Sequence, residues 1–140
     1  MAPRNTKFGQ LTDRTKAQVN PNGVILLTHY IAGNASAAAK KWSWLVPVAG
    51  TIIGVRARAD TAPVGAAMIV DVNKNGTTLF TTQGNRPTIA DGGNNSTTTL
   101  PDVTAVAAGD RITYDVDQVG SGTAGADVSV VVAIKVASVN

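Results

Sequence analysis

The chain has 140 residues, 44% of them hydrophobic but only 4% aromatic, with no cysteine, no glutamate and a single histidine, His29. Such a composition suits one domain built from strands and turns, and it excludes thiol chemistry, disulfides, thiolate metal sites and histidine clusters. Charge is split unevenly: residues 1–41 hold Arg4, Lys7, Arg14, Lys16, Lys40 and Lys41 against Asp13, a balance of +5, whereas residues 42–140 hold six basic and eight acidic residues, a balance of −2.

In chain order, residues 1–22 show no sustained periodicity and end in an Asn-Pro-Asn-Gly turn signal, so they read as an extended basic N-terminal arm. The first residues are polar and charged, without the apolar core of a secretion signal, and no run approaches the roughly 18 apolar residues of a membrane span. The arm suits an acidic protein surface, with a solvated tail as the alternative, and its charge is too sparse for a nucleic-acid tail.

VILLTHY, residues 24–30, is the first strand, and His29 in it reads as a structural histidine. It titrates near neutral pH if buried beside a neighbour. NASAAAKK reads as a loop. WSWLVPV places Trp42 and Trp44 on one face with Ser43 opposite, and Pro47 marks an edge or a strand end. TIIGVRARAD puts Ile53, Val55, Ala57 and Ala59 on one face and Gly54, Arg56, Arg58 and Asp60 on the other. TAPVG is a turn, AAMIVDV a strand, and TTLFTT leads back from DVNKNG. RPTIADG is a short strand and GGNNSTTTLPD a polar loop.

The AAGD turn opens RITYDVDQV, in which Ile112, Tyr114 and Val116 share one face and Arg111, Thr113, Asp115 and Asp117 the other. After a glycine-rich connection, ADVSVVVAIKVASV aligns Val128, Val130, Val132, Ile134 and Val136; its second face, with Ser129, Val131, Ala133 and Lys135, is partly covered. The pattern predicts an all-β chain, a jelly-roll-like β-sandwich of about eight short strands over residues 23–140, behind the arm at 1–22.

Several segments invite a chemical reading. DVNKNG spaces oxygen-bearing side chains like the start of a calcium loop, but the closing acid of that loop falls on Thr82, and Lys74 sits inside it. Asn75-Gly76 between apolar runs instead signals a type I′ hairpin, in which both central residues need positive φ. Asp115 and Asp117 have the residue type for glycosidase chemistry without a second acidic cluster to complete it; they read better as a solvated face or a subunit rim. Arg56 and Arg58 pair with them if the two strands face each other. Trp42, Trp44 and Tyr114 are the candidate oligomer or ligand surface, with core packing as the alternative for the indoles. NAS, NGT and NST match the N-glycosylation pattern, which carries little weight without a signal peptide. No catalytic, cofactor or metal constellation is expected.

The run from TIIGVRARAD through DVNKNGTTLF to RPTIADG, followed by AAGDRITYDVDQVGS, resembles a bacteriophage virion domain of jelly-roll or β-sandwich fold, found in capsid decoration, head-fibre and tail-associated proteins. The resemblance spans residues 42–137 and leaves out the arm. It implies a structural virion protein made in the host bacterial cytoplasm, without cofactor. On that basis the expected role is a capsid decoration protein that binds the head lattice as a homotrimer or another small symmetric oligomer and stabilises it. Its partners are then itself and the major capsid protein, with no membrane and no direct nucleic-acid contact. The arm residues Arg4, Lys7, Arg14 and Lys16 are the candidate capsid contacts. A tail- or head-fibre-associated receptor- or carbohydrate-binding module is the alternative.

Overall fold

The computed structural model describes residues 23–137. The arm, with Arg4, Lys7, Arg14 and Lys16, lies outside the described residues. Nine strands follow one another: β1 (Val24–Asn34), β2 (Ala38–Leu45), β3 (Gly50–Thr61), β4 (Met68–Lys74), β5 (Thr77–Thr78), β6 (Thr88–Ile89), β7 (Ala105–Val106), β8 (Arg111–Val119) and β9 (Ala126–Val136). A single 3-10 turn, Gln83–Asn85, separates β5 from β6.

Two antiparallel sheets result, one in the order β1-β9-β3-β7 and the other in the order β2-β8-β4-β5, with β6 also paired to β4. The pairing is nested. β1 pairs β9, β2 pairs β8, β3 pairs β7 and β4 pairs β5, which describes one long antiparallel ribbon whose tip is the Asn75-Gly76 turn. Wrapping that ribbon brings β9 also onto β3 and β8 also onto β4, so the last two long strands occupy the centres of the two sheets.

Alternation along each strand supplies the core. Val128, Val130, Val132 and Ile134 of β9 point inward beside Ile52, Val55, Ala57 and Ala59 of β3; from the other sheet come Met68, Val70 and Val72 of β4 and Ile112, Tyr114 and Val116 of β8. Leu79 and Phe80, just beyond the tip of the ribbon, fold back into the same layer. Fully burying a Val, Ile or Leu side chain contributes about 1.5–3 kcal/mol, which is how a chain poor in aromatic residues holds two sheets together.

The structure departs from the periodic reading in two places. Ile53 is exposed and Ile52 buried, because a bulge between Ile52 and Gly54 inserts one residue into β3 and shifts the alternation before Val55. Ala38–Leu45 is one strand, so most of the segment expected to be a loop is extended. A second bulge, between Ala38 and Trp42, absorbs the extra residues there and holds Lys40 at a φ of 52°.

Candidate functional site

β1 and β2 are edge strands of opposite sheets, and their inward-facing side chains meet at the open side of the sandwich. The imidazole of His29 stacks on the indole of Trp42 with ring centroids 4.2 Å apart and planes within 10°. His29 Nδ1 lies 2.6 Å from the hydroxyl of Tyr114. Trp44 tilts against the Tyr114 ring and donates its indole N–H to the carbonyl of Thr28 at 3.1 Å, so β2 is tied to β1 without a backbone ladder between them.

Tyr114 is fully buried and holds its proton, because burial pushes its pKa up to about 12. Burial also lowers the pKa of His29 below its ordinary value. At neutral pH both groups are therefore uncharged. The buried phenol needs an acceptor, so its O–H donates to Nδ1 and leaves the histidine proton on Nε2. This cluster is a clamp across the mouth of the sandwich. It also corrects one expectation: Tyr114 lies in the core and lines no surface, while Trp44 is half-buried and Trp42 remains 46% exposed. The inward alternation of Ile112, Tyr114 and Val116 was the sequence signal for that burial.

The outer face of the second sheet carries the carboxylates. Asp71 stands directly opposite Asp115 in the β4–β8 register. Asp71 is buried, and its Oδ1 accepts the N–H of Val72 at 2.9 Å and the hydroxyl of Thr78 at 2.8 Å. Burial raises its pKa, opposed by those two hydrogen bonds. Asp115 accepts the backbone N–H of Lys40 at 2.7 Å and the side-chain amide of Asn73 at 2.9 Å, so it fastens the β2 bulge to the sheet. Asp117 pairs with Arg86. The condition for pairing Arg56 and Arg58 with Asp115 and Asp117 is not met, because β3 and β8 belong to different sheets; Arg58 pairs instead with Asp60 at 3.3 Å.

DVNKNG is a hairpin. Asn75 and Gly76 have φ of 52° and 92°, as a type I′ turn requires, and Asn73 pairs Thr78 across it. The Asn75 side chain accepts the N–H of Arg111 and donates to Asp110, both at 2.9 Å, which ties the turn to the AAGD corner. Asp110 in turn accepts the N–H of Ala107, and this bond, followed by that from Asn75, lowers its pKa. The oxygens that suggested a calcium loop are thus spent on the strand ends, and no group of three or more acidic or histidine side chains with metal-binding geometry occurs among the described residues.

Set against protein-family models, curated proteins and solved structures, the chain matches none of them.

Proposed function

We propose that the sandwich is a jelly roll, and that the chain is a structural virion protein which binds an assembled head lattice as a small symmetric oligomer, a homotrimer on the resemblance of its sequence, and stabilises that lattice. The nested ribbon supports the fold reading: the orders β1-β9-β3-β7 and β2-β8-β4-β5 are those of a wrapped eight-stranded ribbon.

The observation that carries the self-association is the placement of exposed apolar side chains. Val24, Leu26 and Tyr30 alternate with Ile25, Leu27 and His29 and so share the outward side of β1, and Trp42 and Leu45 expose further apolar area on β2; all five are between 46% and 70% exposed and lie on the two strands that end their sheets. Exposed apolar patches on edge strands mark association surfaces. The bulge at Lys40 interrupts the β2 edge against strand addition, so the contact favoured at β2 is side-chain packing between subunits rather than sheet extension. The basic arm, entering at Gly23 beside β1, supplies the charged contact to the particle.

Light scattering of the full chain at micromolar concentration tests the first part: an oligomer that Leu45→Lys dissociates is expected, and a monomeric parent overturns it. Deleting residues 2–20 tests the second, with lost binding to undecorated particles expected and unchanged binding removing the arm from the role. Glycan retention that Trp42→Ala abolishes, without change in oligomeric state, would favour the receptor- or carbohydrate-binding alternative instead.

A further inference from the structure

The outer face of the first sheet has a different character from the rest of the surface. Its cross-strand rows are set by register: Tyr30, Ser129 and Arg58 form one row, and Thr28, Val131 and Arg56 the next. The floor, on β9, is made of small half-buried side chains, whereas both arginines stand exposed on β3. Beyond β3 the polar segment at 94–99 is fastened alongside: Ser96 and Thr99 donate their backbone N–H groups to the carbonyls of Ala57 and Val55, and Arg58 donates to the side chain of Asn95 at 3.2 Å. Between these elements lies an open depression of about 350 Å³ lined by Arg56, Ala57, Arg58, Asn95, Ser129 and Val131. A volume of this size lies within the range of ordinary ligand sites.

Charge decides what such a trough accepts. The guanidinium of Arg58 is shared with Asp60 and Asn95. Arg56 forms no ion pair among the described residues, and its planar fork is suited to a carboxylate. The two arginines are alternate residues of one strand, so they repeat at roughly 7 Å, the spacing of same-face side chains on any extended chain. The floor beside them is one serine and one valine, Ser129 and Val131, both small and uncharged. The aromatic ring in the Arg58 row, Tyr30, gives its hydroxyl to Asp127 at 3.0 Å and is not among the residues that line the depression, so the trough itself has no ring on which a sugar would stack.

We infer that this trough is a docking site for an extended acidic peptide segment of a partner protein, with carboxylates at alternate positions over Arg56 and Arg58 and its backbone lying over the small side chains of Ser129 and Val131. The site is independent of the virion reading: it lies on the folded body, uses none of the arm, and survives if particle binding fails.

The test is titration of the isotope-labelled full chain with the acetylated and amidated hexapeptide (Val-Glu)3, followed by amide chemical shifts. Saturable shifts at Arg56, Ser129 and Val131 are expected, together with about tenfold weaker binding in Arg56→Gln, in keeping with loss of a charge-assisted hydrogen-bond pair. Ser129→Glu, which places a competing carboxylate in the trough, should abolish binding with both arginines intact, and the matching (Val-Lys)3 peptide should not bind. Shifts confined to residues 4–16, or binding that survives Arg56→Gln and disappears when Arg4, Lys7, Arg14 and Lys16 are changed to glutamine, overturn the site in favour of the arm. A sulfated oligosaccharide that shifts the same amides more tightly than the peptide overturns the ligand class.

Discussion

The two outer faces of the sandwich come from the same period-two alternation, yet they are finished in opposite ways. On the second sheet, Asp71, Asn73 and Thr113 are buried and Asp115 half-buried, and the two carboxylates accept backbone N–H groups and neighbouring side chains. On the first sheet, Arg56 and Arg58 stand exposed over small side chains, and only Arg58 finds a carboxylate. One face has consumed its hydrogen-bonding capacity inside the subunit. The other has kept donors in reserve. Charge content alone would not separate them; what differs is whether donors and acceptors of the same subunit reach the charged groups.

The contrast can be broken most severely at Asp115. Asp115→Ala leaves the Lys40 amide and the Asn73 side chain without their acceptor and should lower the unfolding free energy by about 2 kcal/mol in urea titrations, more than Asp117→Ala, which removes a partly exposed ion pair of about 1 kcal/mol or less. Equal effects would mean that the bulge does not depend on its carboxylate. Next in size is Gly76→Val. Open space surrounds the position, so the cost is the positive φ itself, about 1–2 kcal/mol for an L residue, and it should be accompanied by faster hydrogen exchange at Leu79, whose N–H donates to the carbonyl of Val72 across the hairpin. Unchanged melting would rule out the type I′ turn.

Asp71→Asn sharpens the contrast through pH. Burial raises the folded-state pKa of Asp71, so its favourable contribution is present at low pH and is lost as pH rises through that value. Asparagine keeps an acceptor for Val72 and Thr78 without the charge. The variant should therefore melt above the parent at pH 7, with the difference closing as pH falls below the ordinary carboxylate range. A variant less stable than the parent at pH 7 would show that the carboxylate is held favourably. The smallest effect is expected on the other face: Arg56→Gln should change stability by less than about 0.5 kcal/mol, whatever it does to ligand binding.

Much of this frame can be read directly from the residues. The register of β9 is evident in its five alternating branched side chains, and Asn75-Gly76 announces the turn at the tip of the ribbon. The sequence does not reveal events that depend on distant partners. Ile52 and Ile53 are equally apolar, and only the pairing of β3 with β9 decides which one enters the core. The stretch from Asn34 to Lys41 lacks alternation because small residues dominate it; β8 makes most of it a strand, and the carboxylate of Asp115 pins its bulge. Arg86 and Asp117 are 31 positions apart, beyond any local spacing rule. The trough beside Arg56 was hidden for the same reason, since a polar loop gives no sign of the strand along which it lies.

The nested ribbon also governs when this chain can fold. β9 lies between β1 and β3 in the first sheet and pairs with both, Val24 standing opposite Lys135, so β1 and β3 wait until β9 has left the ribosome. A nascent chain stalled before Ala126 carries two branched strands with no neighbour between them, and such delayed, long-range pairing leaves sticky edges exposed during synthesis. Protease protection should therefore appear abruptly once β9 has been synthesised and exposed rather than build up strand by strand, and a fragment ending at Gly125 should aggregate instead of folding.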